Sequence, residues 1–256
     1  MDKATIDEFV EHFDHHDPRL GQDPHPVFDA MRSRCPVARS DRHGGFWILS
    51  SYDLVHFALQ HHELFTTIHS VNVPPGLGNR RPLLPLELDP PLHSKYRNLL
   101  NPVFHPHRIA ALEGKIRETC DSLIDAFIDR GECEFMSELA APLPTRIFTE
   151  MMGLPVEESA RFFAWKNALL HGHHHDPDGS KRAAAGAEVS GYLNQLIAER
   201  RTKRRDDIIS VLIDSEVDGE RLTDEEVLDT SYLLFLAGLD TVTSSLGLQF
   251  LYLAQH

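Results

Sequence analysis

Chemistry in this chain is concentrated in two short stretches. The first is Ala237-Gly238-Leu239-Asp240-Thr241, in the middle of a long apolar run. A carboxylate next to a hydroxyl can hold and pass a proton in a site that otherwise excludes water. The two small residues before them let another group approach the backbone. Thr241 lies one turn beyond Ala237 and shares its side of a helix, where the hydroxyl can bond back to the Ala237 carbonyl and bend the helix. The arrangement is costly. A glycine inside a helix costs about 1 kcal/mol relative to alanine, and an unpaired buried carboxylate costs far more. Two penalties at one spot indicate a site. Close helix packing at Ala237-Gly238, with Asp240 in a salt bridge, explains the same residues, and the two readings weigh evenly.

The second stretch is Leu88 to Phe104, LDPPLHSKYRNLLNPVF. Asp89 reads as a helix cap, and Pro90 and Pro91 fit the first turn, where a missing N–H does no harm. His93 and Arg97 are then spaced i, i+4 and point the same way, and Leu100 and Phe104 continue that row. Two donors beside apolar side chains suit an anionic group attached to a flat apolar ligand. Taken alone, a surface His and a surface Arg facing acidic neighbours is the plainer reading. His171, His173, His174 and His175 stand with Asp176 and Asp178 in a loop, where adventitious metal binding is expected rather than a built site. Arg200, Arg201, Lys203, Arg204 and Arg205 fall at a helix C-terminus, where positive charge suits the dipole and a solvated face is expected.

The elements that must position these residues are mostly helical. Thr223 to Ala254 opens with a capping box, Thr223 with Glu226, flanked by Leu222 and Val227 as a hydrophobic staple. From Thr230 to Ala254 the only charged residue is Asp240. A helix apolar on every face is buried in a large core or in a membrane. Upstream, the pattern predicts a helix over 24–34 and a hairpin of Val37–Ser40 with Phe46–Leu49, with Trp47 in packing. A helix capped by Ser51 follows, with Leu54, Val55 and Ala58 inward. Residues 66–88 hold four prolines and two glycines with no period; a loop of this kind is usually functional, and its apolar content favours a lid. An amphipathic helix that starts at His105-Pro106 and is ended by Gly131 places Ile109, Leu112, Ile116, Cys120, Leu123 and Phe127 on one buried stripe. Helices are predicted over 142–152, 157–171, 183–203 and 207–213, with Val189, Leu193, Leu196 and Ile197 forming the inner face of the third.

Composition removes several function classes. Among 256 residues, 25 Lys and Arg stand against 39 Asp and Glu, a net charge of −14. That disfavours nucleic-acid binding, which needs a basic face. The opening MDKATIDEFVEHFDHHD has no apolar core, so no signal peptide is expected. Cys35, Cys120 and Cys133 show no metal spacing, which with their odd number points to a reducing cytoplasm. Asp240 in the centre of the long apolar run argues against its spanning a membrane.

Together these stretches resemble the cytochrome P-450 family of haem-thiolate monooxygenases, in its soluble bacterial style. AGLDT at 237–241 is similar to the family's oxygen-binding helix motif, and DPPLHSKYR at 89–97 to its His-x-x-x-Arg helix. The resemblance covers the chain from about Pro24 onward. It implies a mainly α, incomplete cytochrome P-450-like fold with a small β-hairpin near the N-terminus. Residues 1–23 would be a polar, loosely held lead-in, and 24–256 the N-terminal part of one domain. It implies haem (heme b) as cofactor, with His93 and Arg97 on its propionates, Ala237 and Gly238 against its face, and Asp240 and Thr241 delivering protons. Partners would be O2, a small hydrophobic substrate and a ferredoxin- or flavodoxin-type electron donor. The 66–88 loop and the segment around 171–181 would border the substrate entrance. The family's axial Cys stands in surroundings that none of Cys35, Cys120 and Cys133 shares, so no metal ligand is assigned. A helical ligand- or partner-binding protein without haem is the alternative.

Overall fold

The computed structural model describes residues 1–171, 176 and 178–256. The chain runs α1 (Lys3–Glu11), α2 (Pro18–Gln22), α3 (His25–Arg34), β1 (Val37–Ser40), β2 (Phe46–Leu49) and α4 (Tyr52–Gln60). After an irregular stretch come α5 (Leu92–Leu99), α6 (Pro106–Ala111), α7 (Glu113–Asp125), α8 (Pro142–Met151) and α9 (Ser159–Leu170). The chain ends with α10 (Ser180–Thr202), α11 (Ile208–Asp214), the two-residue strands β3 (Glu216–Val217) and β4 (Glu220–Arg221), and α12 (Asp224–Gln255). The fold is mainly α, as the residue patterns predict.

Two cores hold it together. The larger is built where α10, α11, α8 and α9 pack on the first half of α12. Val189, Leu193, Leu196 and Ile197 line its α10 side, all buried, as their spacing requires. Phe162, Trp165 and Phe235 meet there edge-on.

The smaller core corrects the expectation of a loose lead-in. Residues 1–23 carry α1 and α2, and Phe9, Phe13 and Leu20 are buried against Val27, Met31 and Ala38. The cause is a 3–4 spaced row, Ile6, Phe9, Val10 and Phe13, inside an otherwise polar stretch. The Ser40 hydroxyl donates to the Phe13 carbonyl at 2.6 Å and ties the hairpin to the end of this row. In the β1–β2 register Ala38 and Ser40 point inward, while Arg39 lies opposite Trp47 on the outer face. Trp47 is therefore 68% exposed, not a packing residue; strand alternation forces it outward once its neighbours face the core.

Other expectations are revised by what packs where. The helix from His105 is broken at Leu112 into α6 and α7, with Gly114 just past the break. Of the predicted stripe, only Leu123 is fully buried, and Ile109 and Ile116 are exposed. Val55 on α4 is exposed too, with Leu54 and Ala58 only half-buried. Arg200 is not solvated. It is buried, with Nε donating to Asp207 at 2.6 Å and Nη2 to the Gly153 carbonyl at 3.0 Å. The chain doubles back after α10, so the residue that caps α11 lies within reach of the guanidinium.

The long helix is capped as its sequence predicts, with the Thr223–Glu226 box formed and Leu222 and Val227 buried. Its length and apolar composition would suffice to cross a membrane. Its first half is nevertheless a core helix, while Val242, Leu248, Phe250, Leu251, Tyr252 and Leu253 in its second half are exposed. The total accessible surface is 15162 Å², against about 11,400 Å² for a compact monomer of this mass.

Candidate functional site

The site is built on the middle of α12. From Val227 to Leu236 most residues of the helix are buried; at Ala237 the surface opens, and Ala237 and Thr241 are both exposed, one turn apart. The Thr241 hydroxyl donates to the Ala237 carbonyl at 3.0 Å, the back-bond its position predicts. Gly238 faces another way. A Cβ there would come within 2.3 Å of the Phe148 ring, so the space it leaves is taken by α8. The two small residues thus open two sides of the helix, one to a neighbouring side chain and one outward.

Asp240 is held from α9. Its Oδ1 accepts from Lys166 Nζ at 2.9 Å and from His171 Nε2 at 3.0 Å. Burial pushes the Asp240 carboxyl up, but the two donors together outweigh burial and hold it below the ordinary carboxylate value. Lys166 is 3% exposed, a cation sealed beneath its carboxylate, with the Phe163 ring 4.4 Å away. Among the described residues, no hydrogen bond joins Asp240 to Thr241; one faces the Lys166–His171 pair and the other the open side.

His93 and Arg97 sit on α5, half-exposed and exposed respectively. Among the described residues neither side chain has a hydrogen-bond or ion-pair partner. For a guanidinium in a chain of net charge −14, that weakens the reading of a surface Arg facing acids. The Asp89 side chain does not cap α5. It accepts from the Thr67 N–H at 3.1 Å and the Thr66 hydroxyl at 2.5 Å, fastening the start of the 66–88 loop to its end. Helix α5 is fixed to the first turn of α12, where Tyr96 donates to Glu226. Burial, helped by that carboxylate, pushes the Tyr96 phenol up to about 12. Glu226 and Ala237 are eleven residues apart, three turns and about 16 Å along the axis, which returns them to the same face. So α5 stands at one end of the strip on which Ala237 and Thr241 open.

The 66–88 loop lies against the adjoining face of α12. Arg81 pairs with Asp229 at 2.9 Å and Glu225 at 2.8 Å, and Tyr232 donates to the Leu77 carbonyl at 2.9 Å. Burial pushes the Asp229 carboxyl up, and Arg81 offsets this only in part. Gly78, in the left-handed region, meets Gly186 backbone to backbone; a Cβ on Gly186 would lie 2.1 Å from the Gly78 carbonyl oxygen. Lys166, Tyr96 and this glycine pair were not singled out by residue type, and His171 was read as part of a loop cluster of histidines rather than as a partner of Asp240. Lys166 had a signal, since it shares a face with Phe162 and Leu169, and a lysine in an apolar stripe needs an anion. His173, His174 and His175 lie outside the described residues.

Comparison with known proteins gives the chain's relatives. The cytochrome P450 family model matches residues 156–256. A steroid C26-monooxygenase of Mycobacterium tuberculosis is 36% identical over 222 residues, 85% of this chain and 58% of the relative. A methyl-branched lipid omega-hydroxylase of Mycobacterium bovis is 31% identical over 214 residues, 79% of this chain and 49% of the relative. Among solved structures, the cytochrome P-450 PksS of the Bacillus subtilis bacillaene polyketide synthase superposes with a TM-score of 0.81 at 28% identity, over 95% of this chain and 62% of that one. The chain spans about half the length of the curated relatives it matches. On sequence and fold together, the chain belongs to the cytochrome P-450 family.

Proposed function

We propose that this chain forms the oxygen-side wall of a haem-dependent monooxygenase that inserts one oxygen atom from O2 into a small hydrophobic substrate. The observation that carries the reading is the strip on α12. It is a small, outward side chain at Ala237, where the buried first half of the helix ends, with an unpaired guanidinium on the element docked at one end of the same face.

The donor set fits haem in two respects. Ala237 leaves room for a flat apolar face. His93 and Arg97 supply one hydrogen-bond donor and one permanent cation for acid groups. Cys35 follows α3, Cys120 lies on α7 and Cys133 in the connection between α7 and α8, and no axial ligand is assigned among them. Haem, when bound, supplies the binding and two-electron reduction of dioxygen.

This chain's residues would supply position and protons. Gly238 lets α8 close against one side of α12, which keeps the other aligned. Thr241 has its proton committed to the Ala237 carbonyl, so its oxygen can accept a hydrogen bond from a water on the open side. Asp240, ionised under Lys166 and His171, is the acid–base group linked to solvent through the exposed imidazole. Proton supply would run from His171 through Asp240 to water at Thr241, with electrons from a ferredoxin- or flavodoxin-type donor. The steroid and lipid named for the two relatives support a hydrophobic substrate without choosing one. Three free thiols suit the reducing cytoplasm as its setting.

The test is absorbance titration of the chain with haem. The expected result is a saturable one-to-one change, weakened about tenfold by Arg97→Ala and by Ala237→Leu. No saturable change, or indifference to both substitutions, would sink the proposal and favour a helical protein without haem.

A further inference from the structure

A cluster of imidazoles lies far in sequence from α12, where the α1–α2 connection meets the hairpin turn. His15 and His16 come from the connection and His43 from the turn. One nitrogen from each ring lies within 4.8 Å of its counterparts in the other two. The ring centres are 4.1 Å apart for His15 and His16, and 5.1 and 5.6 Å from His43 to His16 and His15. Neighbouring histidines usually diverge. Here both rings turn to one acceptor, the Val73 carbonyl, at 2.7 Å from His15 Nε2 and 3.1 Å from His16 Nε2. His43 Nε2 meets Asp14 Oδ1 at 2.8 Å, and its backbone is held at φ +52 in the turn.

Carbonyl and carboxylate oxygens only accept. In the neutral tautomers that make these bonds, each Nε2 carries the proton and each Nδ1 the lone pair. An imidazole donating one N–H to a backbone carbonyl or carboxylate is the arrangement that orients metal-bound histidines.

We propose that His15, His16 and His43 form a zinc-class divalent metal site that fastens the hairpin turn to the 66–88 loop at Val73. Three nitrogens on a tetrahedral zinc stand about 3.4 Å apart, given Zn–N bonds of about 2.1 Å. The close nitrogens lie within 4.8 Å of one another, so reaching that spacing asks for about 1 Å of side-chain movement, with a ring flip wherever the close atom is Nε2, in rings that are exposed or half-exposed. A water completes the tetrahedron, and Val73 and Asp14 stay in the outer shell. The cluster borders an open groove of about 510 Å³ walled by Phe46, Trp47, Val71, Val73 and Leu170. A bound ion would hold the loop edge of that groove in place. None of this depends on haem.

The chain holds 17 histidines, so the experiment separates this cluster from the rest. Zinc chloride is titrated by calorimetry into the chain, into a variant with His173, His174 and His175 all changed to Ala, and into His43→Asn. Asparagine tolerates the left-handed backbone at that position, and circular dichroism checks that the variant folds. One tight equivalent is expected in the first two proteins, with affinity falling at least tenfold in His43→Asn. Amide exchange of residues 71–77 is expected to slow on adding zinc except in His43→Asn. Unchanged affinity in His43→Asn, loss of the tight equivalent in the triple variant, or exchange at 71–77 that ignores zinc would each overturn the proposal.

Discussion

The two halves of α12 have the same kind of sequence and opposite surroundings. From Val227 to Leu236 the helix is apolar on most faces, and nearly every side chain is buried. From Val242 to Leu253 it is equally apolar, and most side chains face outward. Phe235 is 1% exposed and Leu248 is 69% exposed, on one continuous helix. Hydrophobicity states what a helix face requires, while burial depends on which elements arrive to cover it. Helices α8, α9, α10 and α11 cover the first half, and Ala237 marks where that cover stops on one side. The boundary coincides with the residues proposed to carry the chemistry. A ligand-bearing strip needs one face of a rigid core helix left open, with its other faces fixed.

The largest effect that can test this contrast is in packing. Phe235→Ala removes a ring set against Phe162 and Trp165, at centre distances of 6.1 and 6.3 Å. Urea denaturation is expected to show a loss of about 3–5 kcal/mol. Leu248→Ala, on the open half, is expected to change stability by less than about 0.5 kcal/mol. Similar losses at the two positions would mean that the halves are not differently covered, and the contrast would fail.

How much of this could be read beforehand follows the same division. The Thr223–Glu226 box, the Ser51 cap, the two hairpin strands and the α10 inner face depend on a few neighbouring residues, and each formed as its pattern predicts. Ser51 accepts from the Leu54 N–H and Asp207 from that of Ser210, as local capping requires. Trp47, Val55, Ile116 and Arg200 depend on what lies across from them, and there the pattern misled. Arg200 reads as one of several solvated basic residues until Asp207 and Gly153 are brought beneath it. At the site, the Thr241 back-bond was legible because it is an i−4 relation. Lys166 on Asp240 joins residues 74 apart and was left open as an unnamed salt-bridge partner. Gly238 shows the limit: residue type indicates a close approach, and only the fold shows that Phe148 makes it.

A smaller effect is expected at Gly238, and it sharpens the contrast between the two sides of the notch. Gly238→Ala places a methyl within 2.3 Å of the Phe148 ring. Alanine improves helix propensity by about 1 kcal/mol, but overpacking costs about 1–3 kcal/mol. A net loss of about 1–2 kcal/mol is therefore expected in denaturant titrations, and Phe148→Leu in the same chain should recover much of it. Ala237→Ser, one residue earlier and exposed, is the matched control and should be near neutral. If Gly238→Ala stabilised the protein, α8 could not be as close as the glycine suggests.

The most conditional effect lies at Asp240, which sits between covered and open surroundings. Its side chain is 21% exposed, so water screens part of its interaction with the 3% exposed Lys166. Lys166→Met, which keeps the apolar stem, is expected to cost about 1.5–2 kcal/mol near pH 7, the low end for a charged hydrogen bond. The carboxyl is held below its ordinary value of 3.8 in the folded chain. A depressed acid contributes stability that is fully present above the unfolded value and is lost as pH falls through the folded one. The difference between Lys166→Met and the parent should then be flat from about pH 7 to pH 5, shrink below about pH 4, and vanish once Asp240 is protonated in both states. Denaturation midpoints across that range are the measurement. A difference that persisted undiminished at the acid end would assign Lys166 to packing alone, and would remove the ion pair from the account of why Asp240 stays charged at the edge of the buried half.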